Sequence, residues 1–269
     1  MEHFICATCG VQYPASETPP EHCPICEDER QYIGWQGQRW TTLAQLRQTH
    51  RALIREEEPN LIGFGIEPAF AINQRALLVR TAHGNILWDC MSLFNDEISA
   101  KINELGGISA IAMSHPHYYS TIVEWSHAFG KVPIYIHEAD RAYVMRPDPV
   151  IRFWQGTTHQ LLPGLTLINA PGHFDGASML HWADGAEGKG VLLAGDIIYV
   201  VSDRRYASFM RSYPNLIPLN ASQVRQIVNR VEPFEFDRIY TAWFDRTMQH
   251  DAKAAVRRSA ERYIAAISE

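Results

Sequence analysis

The sequence predicts a layered α/β domain that carries a small metal-bound ribbon at its N-terminus. Three observations lead there. Four of the five cysteines fall within the first 26 residues as two Cys-x-x-Cys pairs. Beyond them, short apolar runs come first in close succession, as in hairpins, and later alternate with helical patterns. Finally, histidines and an aspartate stand directly after several of the apolar runs, where strand ends deliver side chains to a common rim.

Residues 1–35 form the ribbon and residues 36–269 the α/β domain, with 36–58 as a connecting helical segment. Within it, 39–58 reads as a helix, with Leu43, Leu46, Leu53 and Ile54 on one face, a charged end at Arg55-Glu-Glu-Glu58 and Pro59 as the stop. Strands are expected at 61–66, 70–72, 76–79 and 84–90. A helix over 96–105 ends at Gly106-Gly107, and a buried strand follows at 108–114. Next come a helix at 121–129, a strand at 132–136 and a helix at 138–145. Strands at 166–170, 177–182 and 191–194 precede a helix at 221–231, a strand at 236–242 and a final helix at 251–268. That last helix has its apolar stripe at Ala255, Ile264 and Ile267.

Composition narrows the function. The 269 residues are 46% hydrophobic, which excludes a chain that is disordered throughout. No apolar run approaches the roughly 18 residues a membrane span requires. The start, Met1-Glu-His-Phe-Ile-Cys6, has neither the basic nor the apolar region of an export signal, so a cytoplasmic location is expected. A net charge of −6 disfavours nucleic acid as a partner. The ribbon is itself acidic, with Glu2, Glu17, Glu21, Glu27, Asp28 and Glu29 against Arg30. The expected partners are a small-molecule substrate and, optionally, a further copy of the chain, but neither nucleic acid nor membrane.

Cys6-x-x-Cys9 and Cys23-x-x-Cys26 are separated by 13 residues. Each pair can bend into a knuckle that aims two thiolates at one point, and two knuckles make a tetrahedral four-sulfur cage for zinc or a single iron. Two disulfides are the competing reading, which a reducing compartment disfavours. The segment holds too few apolar residues for a core, so metal binding would supply its folding free energy. It resembles a rubredoxin-like zinc ribbon, of the short kind attached to rubrerythrins. Cys90 reads as a small buried hydrophobe.

Ser114-His115-Pro116-His117 follows the strand at 108–114, and two histidines at i and i+2 on an extended turn can share one metal. Pro171-Gly172-His173 follows another strand. Asp196 ends the apolar run Leu192-Leu-Ala-Gly195, where a carboxylate is costly unless paired or metal-bound. His115-Pro-His117, then Gly172-His173, then Gly195-Asp196, together with Leu87-Trp-Asp89-Cys90 and Pro133-Ile-Tyr-Ile-His137-Glu138, resemble the metallo-β-lactamase superfamily over most of residues 60–269. That resemblance implies an αββα sandwich. It also implies a first metal site made by His115, His117 and His173, with Asp196 as the carboxylate shared with a second site and Asp89 in support.

The departures matter as much. The family's first motif runs His-x-His-x-Asp-His, and here Tyr119 and Ser120 stand in the Asp and second His places. The family's late histidine is missing near Ile239-Tyr-Thr-Ala-Trp243-Phe244. A single zinc or iron on three imidazoles, with or without Asp196, is therefore the expected count. Such an ion can activate water against an ester, lactone, thioester, amide or phosphoester.

Tyr119, Asp175 and Asp196 are the catalytic candidates. Tyr119 would donate to a developing oxyanion and Asp175 would act as base; their bland readings are loop packing and a turn residue. Ser120 stands beside the site. Tyr118, Arg204 and Arg205 are candidates for substrate contact, with Arg204 and Arg205 also readable as a solvated charge run. His181 reads as a satisfied core residue. Two other functions compete with the hydrolase: a mononuclear iron redox enzyme of persulfide-dioxygenase type on His115, His173 and Asp196, and a non-catalytic binding protein of the same fold.

Overall fold

A computed structural model describes residues 1–268. The chain divides into two compact units, residues 1–136 with 141–153, and residues 137–140 with 154–268. The first unit begins with a three-stranded antiparallel sheet in the order Gln12–Ser16, Glu2–Cys6, Trp40–Thr42. The short helix Pro24–Glu27 starts with proline at a position where no amide donor is needed. Between this helix and the third strand the chain turns through Gly34 and Gly37, and Trp35 stands fully exposed on that turn.

A seven-stranded sheet follows. Arg51–Glu58, Leu61–Glu67, Ala76–Thr81 and Gly84–Trp88 form an antiparallel meander. Ala110–Ala112 and Ile134–His137 then continue it in parallel, and Ile151–Trp154 is the seventh strand, at the edge. Parallel neighbours need crossovers, which are the helices Asp96–Glu104 and Ile122–Ala128. Asn95 caps the first of these by accepting from the amide of Ile98. Leu61, Phe64, Leu78, Leu87, Ile111 and Trp125 are among the fully enclosed side chains of this unit.

The second unit has a six-stranded sheet in the order Thr158–Leu162, Leu165–Asn169, Ser178–Trp182, Val191–Gly195, Arg238–Thr241, Thr247–Met248. One neighbouring pair, Val191–Gly195 with Arg238–Thr241, runs parallel, and the helix Ala221–Val231 makes the crossover. Asn220 and Gln223 form a capping box at the start of that helix. The long helix Ala252–Ile267 packs on Arg238–Thr241, on the short strand Ala207–Ser208 and on Ala221–Val231. No described helix is long and apolar enough to cross a membrane.

Three sequence expectations are corrected. The helix expected over 39–58 is confined to Leu43–Thr49; it starts at a capping box between Thr42 and Gln45, and His50 is already extended. Arg51–Glu58 is an edge strand whose exposure alternates, because its backbone groups find a full antiparallel ladder on Leu61–Glu67. The acidic end of the supposed helix has another use. Glu57 accepts from Arg55 and is ion-paired with the enclosed Arg75. The strand expected at 70–72 is a turn, with Ala71 at positive φ and the amide of Asn73 donating to the carbonyl of Phe70. Residues 138–145 make a 3-10 helix over Glu138–Tyr143 instead of an α-helix.

Candidate metal centres

In the ribbon, the amide of Gly10 donates to the carbonyl of Cys6, and that of Cys26 to Cys23. These turns form the two expected knuckles, the first needing Gly10 at a φ of 81°. All five cysteines are free thiols. The four ribbon sulfurs lie within 4.8 Å of one another, with Cys6 and Cys26 at 3.5 Å and Cys9 and Cys23 at 3.7 Å. A tetrahedral cage with metal–sulfur bonds of about 2.3 Å has edges of about 3.8 Å, so the four thiols fit a single ion. Tyr13 Oη donates to Cys23 and Gln38 Nε2 to Cys6, which orients the sulfurs and offsets thiolate charge. Hydrogen bonds from Cys23 and Cys26 hold the Cys6 thiol far below its ordinary range, while burial pushes Cys9 up.

The second centre is built in two parts. The strand Ala110–Ala112 leads into Ser114, and the turn Pro116–Tyr118 follows His115. Pro116 is suited to the first position of such a turn. The His115 and His117 rings stand 5.2 Å apart, both residues almost wholly buried. Asp89, enclosed at the end of Gly84–Trp88 and held at a φ of 58°, accepts from the amide and the hydroxyl of Ser114 at 2.8 and 2.7 Å. The Ser114 proton is thus committed to Asp89, so Ser114 Oγ must accept from His115 Nδ1, 2.9 Å away. This relay fixes the His115 tautomer and leaves Nε2 with the lone pair a metal needs.

In the second unit, His173 Nδ1 donates to the carbonyl of Met210 at 3.2 Å, a partner that can only accept, so His173 also presents Nε2 as a base. That nitrogen stands 3.9 Å from Asp196 Oδ1. The turn that carries His173 is pinned by Asp140, which accepts from the amide of Gly176 at 2.8 Å; a Cβ at Gly176 would meet the Asp140 carboxylate at 2.5 Å. Tyr213 Oη donates to the carbonyl of Asp196 at 2.6 Å, and burial pushes its own titration up, so it stays protonated.

Taken one atom per residue, donors from His115, His117, His173 and Asp196 lie within 4.8 Å of one another, and all four residues are buried. Three imidazoles and a carboxylate, two of the imidazoles with their lone-pair nitrogen fixed by other bonds, fit one transition-metal ion. Among the described residues, this cluster and the four-cysteine cage are the two groups of this kind.

No family model matches the chain. A protein of Bacillus subtilis (strain 168), described as "uncharacterized protein YmaE", is 51% identical over 270 residues, spanning all of this chain and 98% of that one. The chain belongs to the YmaE family. Solved structures show the fold of this chain. A metallo-β-lactamase of Cronobacter sakazakii with an HARLDQ motif matches with a TM-score of 0.53 at 19% identity, covering 80% of this chain and 92% of its own. TMB-1 matches at 0.61 and 11% identity, covering 81% and 99%. DIM-1, a metallo-β-lactamase, matches at 0.59 and 10% identity, covering 81% and 98%. This member of the YmaE family therefore has the metallo-β-lactamase fold, with a four-cysteine ribbon in addition.

The other residues singled out from the sequence fall as follows. Tyr118 is fully enclosed with its ring 4.3 Å from that of His115. Tyr119 is buried in the same turn, its amide donating to the carbonyl of Pro116. Ser120 turns away to accept Gln74 Nε2 on its hydroxyl and the amide of Gln12 on its carbonyl. Asp175 has an exposed side chain outside the four-donor cluster. Arg204 and Arg205 lie in the exposed connection between Tyr199–Val200 and Ala207–Ser208, where Arg205 is forked onto Asp203. His181 is a core residue that donates Nε2–H to the carbonyl of Glu235. Asp140, Met210 and Tyr213 were not singled out from the sequence. Their roles arise from contacts 36, 37 and 17 residues away along the chain, which no local pattern announces.

Proposed function

We propose that the protein is a metal-dependent hydrolase working with a single ion on His115, His117, His173 and Asp196. The observation that carries this reading is the buried four-donor cluster in which separate hydrogen bonds turn Nε2 of both His115 and His173 into acceptors. A divalent ion held there supplies Lewis acidity and a nucleophile drawn from water at neutral pH. The chain's own contribution is orientation. Asp89 and Ser114 hold one imidazole, Met210 and the Asp140-pinned turn hold another, and Tyr213 fixes the backbone of Asp196.

The substrate is a small molecule with an ester, lactone, thioester or phosphoester bond. Zinc in both centres suits the donor sets, and the four free thiols suit a reducing cytoplasm. Tyr118, packed on His115, joins Tyr119 as a tyrosine assigned to the site. The iron redox alternative used two histidines and one carboxylate, and His117 within the same 4.8 Å cluster favours the three-histidine set instead.

A panel of ester, lactone, thioester and phosphoester substrates, run on zinc-loaded protein and on His115→Ala, tests the proposal. Turnover of one class by the first and its loss in the second is expected. Equal turnover by both proteins would refute the assignment.

A further inference from the structure

The ribbon does more than hold its own ion. The residues directly after Cys9 lie against the two segments that flank the His115–His117 turn. The Cys6 amide donates to the carbonyl of Val11, and Gly10 donates back to Cys6, so the cage fixes the backbone of 10–11. On one side, Ser92 Oγ donates to the carbonyl of Gly10 at 2.9 Å, three residues beyond Asp89. On the other, the amide of Gln12 donates to the carbonyl of Ser120 at 3.1 Å, three residues beyond His117. Gln74 Nε2 joins the two sides through the carbonyl of Cys90 and the hydroxyl of Ser120, and Thr121 Oγ1 adds a bond to the carbonyl of Met91.

The fit at Gly10 is tight. A Cβ there would lie 2.5 Å from Ser92 Oγ, 3.3 Å from Ala71 and 3.6 Å from Ser120 Oγ. Both braced segments contain a non-glycine residue in the left-handed region, Asp89 at a φ of 58° and Ser120 at 43°. Such backbone persists only where surrounding contacts over-determine it, and the ribbon's bonds to Gly10 and Gln12 supply part of that restraint.

We propose that Gly10 and Gln12, held by the four-cysteine cage, are positioning residues for the His115–His117 turn, so that metal occupancy of the ribbon raises the metal affinity of the His/Asp centre. The inference rests on the His/Asp cluster binding metal, but not on any hydrolytic reaction. It gives the ribbon a task inside its own unit, without electron transfer.

Cobalt(II) distinguishes the two centres in the full-length protein. Thiolate ligation gives strong near-ultraviolet charge transfer that nitrogen–oxygen ligation lacks, so this band follows the ribbon, and cobalt bound beyond it follows the His/Asp centre. Titration against a competing chelator then reads the His/Asp affinity separately. In Cys9→Ser the charge transfer is lost, and the His/Asp affinity is expected to fall about tenfold or more, as for the loss of supports around metal ligands. Gly10→Ala and Ser92→Ala keep all four thiols. They are expected to retain the charge transfer while the His/Asp affinity drops about threefold or more, the scale of one buried hydrogen bond. These two variants decide the matter even if Cys9→Ser does not fold. His/Asp affinity within about twofold of wild type in both would overturn the coupling. A wild-type protein that binds no cobalt beyond the single ribbon ion would overturn the His/Asp centre itself, and the coupling with it.

Discussion

At the scale of the residue, the most informative side chain is Ser114. Its single proton goes to Asp89, which forces His115 to donate from Nδ1 and accept at Nε2. Removing the hydroxyl lets His115 rotate and adopt the other tautomer. Ser114→Ala is therefore expected to weaken zinc at the His/Asp centre by about ten- to a hundredfold. The ribbon charge-transfer band should stay unchanged in the cobalt-loaded variant. Chelator competition followed by elemental analysis reads the effect, and an unaltered affinity would show that the relay does not position His115. This relay was half legible in the sequence. Asp89 could be picked out because the stretch Leu87-Trp-Asp89-Cys90 resembles the metallo-β-lactamase superfamily, whereas Ser114 is ordinary by type and acquires its role from a contact 25 residues distant.

At the scale of the element, the edge strand Arg51–Glu58 shows where reading by pattern fails. Arg-Glu-Glu-Glu is good helix material, and Leu53 with Ile54 suits either period. What decides is the ladder to Leu61–Glu67 and the burial of Glu57 against Arg75, both long-range. The Arg75 side chain is wholly enclosed and that of Glu57 nearly so. Arg75→Ala leaves Glu57 in a low-dielectric site with only the partly exposed Arg55 beside it. A loss of about 3–5 kcal/mol is expected, measured by urea unfolding. A loss below about 1 kcal/mol would mean that water or a rearranged strand solvates Glu57. The buried strands at 61–66, 76–79 and 191–194 were legible because a continuous apolar run bounded by turn residues has few other uses.

At the scale of the whole molecule, two donor clusters imply two ions per chain, one in sulfur and one in nitrogen and oxygen. Protein expressed in zinc-containing medium is expected to carry about two zinc ions by elemental analysis. Blocking the ribbon thiols with a mercurial should release the first. With so few apolar residues of its own, the ribbon should then become the first segment cut by protease. A ribbon equally resistant with and without metal would show that its packing on residues 90–92 and 120 suffices. The four-cysteine cage was fully legible, because its ligands sit in two local repeats whose spacing is itself the geometry. The His/Asp cluster was legible in its four converging donors but not in the contacts that hold them. The donors fall at strand ends, and the supports are a carbonyl, a serine and a tyrosine that chain folding brings in.

Trp35 offers an optical consequence. Of the seven tryptophans, all within the described residues, it alone is exposed, while Trp88 and Trp125 are enclosed. A collisional quencher dissolved in the buffer should extinguish that indole first and spare the enclosed ones. Emission lost at low quencher concentration thus follows the amino-terminal turn in unlabelled material, in real time, as ions enter or leave.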